Sequence, residues 1–268
     1  MKVFLAVDLE GVAGYVKWDQ TDRQRERELI TADANAAVAG AFEAGAIEVL
    51  VTEAHSNMRN ILPEQLDERA AFLSGEPKPL NHMAGLDDSF DAVGLVGYHA
   101  KAGAPRAVMC HTYSLGIFSL KFNGIEVGEI GADAAIAGSF GVPVVFISAD
   151  RAGCDEARAL LGDIVAVPVK EGVSRFAAKC IPPARARDMI RDGMRDALIG
   201  LDRATPFIFE PPIKAEVVFV DPGLADAVAN MPGVERVDGR TITFTAPTYR
   251  DAFEQFNGLH LLARVGQV

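Results

Sequence analysis

Short, almost wholly apolar runs that end in acidic residues or stop just short of histidines constrain this chain more than any other feature. Residues 2–8 read KVFLAVD, 47–52 read IEVLVT, 90–98 read FDAVGLVGY and 142–148 read VPVVFIS. A strand of this kind has no polar face and must be covered on both sides, the condition of a parallel sheet clothed by helices. Helical stretches at 29–44, 129–140 and 154–161 fall between or after these runs, the first two closed by Gly45 and Gly141. Alternation of strand and helix predicts an α/β fold with a mostly parallel, three-layer αβα sheet. Residues 115–127 depart from it: two strand-like runs joined by Asn123-Gly124 predict a hairpin.

The remainder reads as a smaller C-terminal α+β module. A helix is expected over 182–199, a proline-rich connector over 205–212, strands at 216–220 and 241–246, and helices at 222–230 and 248–262. The division is placed near Lys170, with 1–170 as an α/β metal-binding domain and 171–268 as the smaller module.

Composition excludes several classes. Apolar residues make up 49% of the 268, enough for a full core and against disorder. A formal net charge of −11 argues against a nucleic-acid backbone as partner. The three cysteines, Cys110, Cys154 and Cys180, form no C-x-x-C pair and suit a reducing compartment. The first apolar run is too short for a signal peptide, and no run is long enough for a membrane span. A soluble, cytoplasmic protein is expected.

The chemistry starts at Asp8-Leu9-Glu10-Gly11. Residues two apart on a strand share a face, so both carboxylates would enter the crevice at the C-terminal edge of a parallel sheet. Two neighbouring carboxylates need a cation or protons. The alternative is a turn cap at Asp8 and a solvated Glu10. Of the five histidines, His55 and His99 fall just past predicted strands. Parallel strands would bring both to the same edge as the acids, which favours a metal site. Glu129 opens a helix, where an acid is favoured by the helix dipole alone. His111 is ambiguous, and His82 and His260 read as structural. A charged segment, Lys17 to Glu28, leads into the helix at 29–44; its Arg25-Glu26-Arg27-Glu28 alternation reads as a solvated face, or the segment as a subunit contact or a lid over the site if the protein forms a ring.

Ala6-Val7-Asp8-Leu9-Glu10-Gly11 resembles the S-x-D-x-E-G motif of the zinc D-aminopeptidases encoded with bacterial dipeptide-transport genes. The resemblance continues through Glu53-Ala54-His55-Ser56, Gly85-Leu86-Asp87-Asp88, Gly97-Tyr98-His99-Ala100, Val127-Gly128-Glu129 and Val173-Ser174-Arg175. It covers nearly the whole chain and is weakest after about Pro206. Ala6 stands where the family motif has serine. The resemblance implies two Zn²⁺ per subunit held by Asp8, Glu10, His55, His99 and Glu129, one carboxylate bridging, with His111 as the catalytic histidine. It also implies a short peptide substrate with an N-terminal D-residue such as D-alanine, and a ring-shaped homo-oligomer, a decamer. Three alternatives stand beside this reading: an L-specific aminopeptidase, a magnesium-dependent phosphohydrolase with acids at a strand end, and a non-enzymatic metal-stabilised shell or binding protein. A dinucleotide fold lacks its G-x-G-x-x-G and a P-loop its Gly-Lys.

Overall fold

The apolar runs form the centre of a computed structural model that describes residues 1–18 and 22–265. In chain order the elements are β1 (Lys2–Val7), α1 (Arg23–Glu43), β2 (Glu48–Glu53), β3 (Ala71–Leu73), β4 (Ala92–Tyr98), β5 (Ile117–Phe122), β6 (Ile125–Val127), α2 (Glu129–Ser139), β7 (Val144–Asp150) and α3 (Arg151–Leu161). They continue as β8 (Val165–Ser174), β9 (Ala177–Cys180), α4 (Pro183–Ile199), β10 (Ile213–Phe219), α5 (Pro222–Val228), β11 (Glu235–Arg236), β12 (Thr241–Ala246) and α6 (Tyr249–Val265).

Seven strands form the main sheet in the order β3-β2-β1-β4-β7-β8-β9, parallel except for β9 at the edge. Its central strands are buried on both faces. On β1, Val3, Leu5 and Val7 pack with α1 and α4, while Phe4 and Ala6 face the layer that holds α2 and α3. Five further strands form an antiparallel sheet, β11-β12-β10-β5-β6, packed into that second layer with α6. The expected α/β architecture is therefore present.

β1 lies between β2 and β4, so the chain leaves it in opposite directions on its two sides. This is a topological switch point, where open α/β sheets gather ligands beyond the strand ends. The parallel β1–β2 and β1–β4 pairings put the residues after all three strands at one edge.

Several local expectations are corrected. The charged run does not precede α1 but begins it. Asp22 caps the helix by accepting from the Arg25 N–H at 3.1 Å, and residues 23–28 are its first turns. Residues 19–21 of that run lie outside the described residues. The pair Asp8 and Glu10 is not carried on a strand, because β1 ends at Val7. The chain turns there: Val12 N–H donates to Leu9 O at 3.0 Å, and Gly11 N–H to Gly97 O at 2.7 Å. Gly11 is needed for that approach, since a Cβ would lie 1.9 Å from Tyr98 O. Position 170 falls inside β8, and the antiparallel sheet takes β5 and β6 from before it and β10 to β12 from after it. The two sheets thus do not divide the chain there.

Lys170 itself locks the turn. Its buried ammonium donates to the carbonyls of Glu10, Val12 (2.9 Å) and Tyr15 (2.5 Å). Burial lowers its pKa to about 8. Removing the ammonium would leave three carbonyls short of a donor, at roughly 1–3 kcal/mol for each that stays unpaired. Lys170→Met should therefore destabilise the protein by about 3 kcal/mol, read as a lower urea midpoint at unchanged slope.

Candidate metal centre

Loops from separate strands converge above the β1–β4 crevice. Asp8 follows β1, His55 lies two residues past β2, and His99 directly follows β4. Glu129 is the first residue of α2, and His111 arrives from the connection between β4 and β5. Asp8, Glu10, His99 and Glu129 are only 2, 2, 1 and 3% exposed. His55 and His111 are half-buried. All six residues singled out in the sequence come together.

The contacts form a continuous chain. His55 Nδ1 lies 2.7 Å from Glu10 Oε2 and 3.3 Å from Asp8 Oδ1. Trp18 Nε1 donates to Glu10 Oε1 at 2.6 Å. His99 Nε2 is 3.5 Å from both Asp8 Oδ2 and Glu129 Oε1, and His111 Nε2 is 3.6 Å from the same glutamate oxygen. The rings of His99 and His111 stack with centroids 4.2 Å apart.

Backbone carbonyls set the tautomers. His99 Nδ1 faces Ala100 O and His111 Nδ1 faces Met109 O, each at 2.9 Å. A carbonyl only accepts, so Nδ1 carries the proton in both rings. When neutral, both present an Nε2 lone pair to the centre.

Burial and charge then compete. Burial, reinforced by the neighbouring Glu10 charge, raises the Asp8 carboxyl to about 7. Burial opposes ionisation of Glu10 too, but the His55 imidazolium outweighs it and holds that carboxyl well below its usual range. Burial disfavours charge on His55, yet Glu10 and Asp8 raise it to about 10. Glu129 is likewise held low, against burial, by His99 and His111. His111 is lowered by burial and by the charge on His99.

Two atoms at the centre nevertheless lack a hydrogen bond. Asp8 Oδ2 and His99 Nε2 are buried and have no hydrogen-bond partner among the described residues. Buried polar atoms are rarely left so, and an acceptor oxygen facing an imidazole lone pair calls for a shared cation. Donor atoms gather in two overlapping groups, Asp8–Glu10–His99 and His99–His111–Glu129, each within 4.8 Å. Mixed imidazole and carboxylate donors suit zinc. The residues present therefore fit a metal.

The model of the D-aminopeptidase family matches residues 1–258. The chain belongs to that family. It is 34% identical over 262 residues to the D-aminopeptidase of Bacillus subtilis (strain 168), covering 95% of this chain and 94% of the relative. Its fold also matches the solved Zn-dependent D-aminopeptidase DppA from Bacillus subtilis, described as a self-compartmentalizing protease. That match has a TM-score of 0.94 and 32% identity, and it covers 98% of each chain. The chain is therefore a peptidase, and the phosphohydrolase and shell-protein alternatives fall away. No helix among the described residues is long and apolar enough to cross a membrane.

In this family member the site extends beyond the six residues. A cavity of about 570 Å³ opens over all of them except the buried His99, and its wall includes His82 and His260. Both, read from the sequence as structural, are buried and also border this cavity. His82 Nδ1 lies 3.0 Å from Asp133 Oδ2, which also accepts from Tyr98 OH at 2.8 Å. Tyr113 OH donates to Asp133 Oδ1 at 2.8 Å, and Tyr113 N–H donates to Glu129 Oε1 at 2.6 Å. Asp133 thus ties the His82 wall to the Glu129 carboxylate. A signal existed, since Asp133 stands four residues after Glu129 on the same helical face of a segment otherwise made of small and apolar residues. Trp18, Tyr113 and His260 carried no comparable pattern.

The histidine shifts have a direct consequence in chelator-treated protein. An unfolded histidine loses its proton near pH 6.5, while His55 in the fold keeps it to about 10. The folded state therefore binds more protons across that window, and stability falls as pH rises through it. The melting temperature of the stripped protein should drop between about pH 6.5 and 10. The drop should be much smaller in His55→Gln, measured by calorimetry in the same buffers.

Proposed function

We propose that this chain is a zinc-dependent aminopeptidase that removes N-terminal D-residues, D-alanine among them, from short peptides. The carrying observation is the orphaned pair of Asp8 Oδ2 and His99 Nε2 at the centre of convergent carboxylates and imidazoles. The solved relative is named Zn-dependent and the curated relative a D-aminopeptidase, which supports both the metal and the stereochemistry.

Asp8, Glu10, His55, His99 and Glu129 would hold two zinc ions per subunit. Bound zinc supplies a water activated near neutral pH and polarises the scissile carbonyl. The Met109 carbonyl holds the Nδ1 proton of His111, so Nε2 is the atom that takes up and returns a proton. Its lowered pKa keeps it neutral, and basic, near pH 7. Tyr113 N–H and Trp18 Nε1–H orient Glu129 and Glu10 from behind, as outer partners of metal ligands do.

We also infer a ring-shaped homo-oligomer, a decamer that encloses these sites. The name self-compartmentalizing, given to the solved relative, supports assembly. Phe118 and Ile125, 54 and 45% exposed on the β5–β6 edge, are apolar surface suited to a subunit contact.

Mass spectrometry of the purified protein should find about two zinc ions per chain. Matched alanyl peptides should release D-alanine in preference to L-alanine. His99→Ala should lose both zinc and hydrolysis. A metal-free, inactive protein that zinc does not rescue would refute this reading. His111→Ala should keep its zinc while kcat falls by roughly 10²–10⁴. Loss of zinc in that variant would make His111 a ligand instead.

A further inference from the structure

Several arginines are set against acids. Arg25 meets Glu28, Arg69 meets Asp67, Arg158 meets Asp155, Arg187 meets Asp33 and Arg236 meets Asp226. Arg23 and Arg59 are different. Neither has an ion pair or hydrogen bond among the described residues, although the chain carries a net charge of −11. Together with Gln24 and Arg27 they line a cleft of about 350 Å³ with no acid among its described lining residues. Arg23 is also part of the wall of the main cavity, so the two spaces adjoin. Glu26 is the one acid on that stretch of α1 that reaches the main cavity, and it does not line the cleft.

The cleft is fixed to the metal centre. Arg27 donates to Asn60 O at 3.0 Å and to Ile61 O at 3.2 Å. Asn60 Nδ2 in turn donates to the carbonyl of His55 at 2.7 Å. The loop that presents His55 therefore also positions the arginines. Three guanidinium groups in one cleft repel each other unless an anion sits among them. The planar, forked donors of Arg23 and Arg59 match a carboxylate, while Arg27, with Nε and Nη2 on the loop carbonyls, adds its charge and its remaining Nη1 donor.

We propose that Arg23, Arg27 and Arg59 anchor the free C-terminal carboxylate of the peptide substrate. This rests on the aminopeptidase reading and adds a second recognition element to it. A short peptide is a zwitterion. Its amino end lies at the metal centre, and the arginine cleft faces its carboxylate end. Such a site selects for short peptides with an unblocked C-terminus, because only these reach the cleft with a charge to place there.

The test is steady-state kinetics of the zinc-loaded, full-length protein on D-alanyl-glycyl-glycine as the free acid and as its C-terminal amide. The wild type should favour the acid by about tenfold or more in kcat/KM, expressed mainly in KM, as for loss of one charged hydrogen-bond set. Arg23→Ala and Arg59→Ala should each bring that ratio toward one. Arg27 is left intact because it also supports the loop of His55. Equal hydrolysis of acid and amide by the wild type would overturn the anchor while leaving the aminopeptidase reading in place. A preference that persists in both variants would overturn it as well. Hydrolysis of neither peptide would defeat the aminopeptidase reading and this proposal with it. Should a variant fail to fold, the wild-type ratio still decides.

Discussion

Three buried carboxylates, Asp8, Glu10 and Glu129, sit within a few ångströms of one another's histidine partners, and that concentration of charge is the constraint around which the rest is arranged. Negative groups taken from water need compensation by hydrogen bonds, imidazolium or metal. Each carboxylate has some. His55 and Trp18 serve Glu10, Tyr113 N–H serves Glu129, and Leu9 N–H donates to Asp8 Oδ1 at 2.7 Å. What remains uncompensated is concentrated at one point, between Asp8 Oδ2 and His99 Nε2. Among these three carboxylates the deficit falls at a single point, a place suited to a cation.

Holding such a site requires supports that never touch a substrate. Lys170 reaches from β8 into the turn that carries Glu10 and gathers three carbonyls. Asp133 collects His82, Tyr98 and Tyr113. Glu156 on α3 accepts the Lys101 N–H at 2.8 Å, two residues past His99, and burial raises its carboxyl to about 7. These groups connect α2, α3 and β8 to the metal loops, so the geometry of the centre belongs to the whole domain.

The C-terminal portion shares in this. β10 pairs with β5, joining the last part of the chain to the hairpin that precedes Glu129. Helix α6 brings His260 and Leu261 to the cavity wall, and Phe256 packs on both Tyr113 and His260. One wall of the cavity therefore depends on residues near the end of the described chain, while Asp8 and Glu10 come from the beginning.

Much of this was legible in order along the chain. Apolar runs without a polar face required a covered parallel sheet, and parallel strands required that the residues after β1, β2 and β4 share an edge. Asp8, His55 and His99 followed from that, because strand direction is a local pattern with a global consequence. Glu129 and His111 were singled out only through family motifs, since an acid at a helix start and a histidine in a loop each have an ordinary local explanation. The sequence could not place His82, Asp133, Trp18, Lys170 or the arginine cleft. Their partners are far away in the chain: Lys170 lies 160 residues from Glu10, and His82 lies 51 from Asp133. Hydrophobic periodicity determines which elements form and which faces are buried. Long-range packing of one element on another decides which polar side chains meet, and only the tertiary structure contains it.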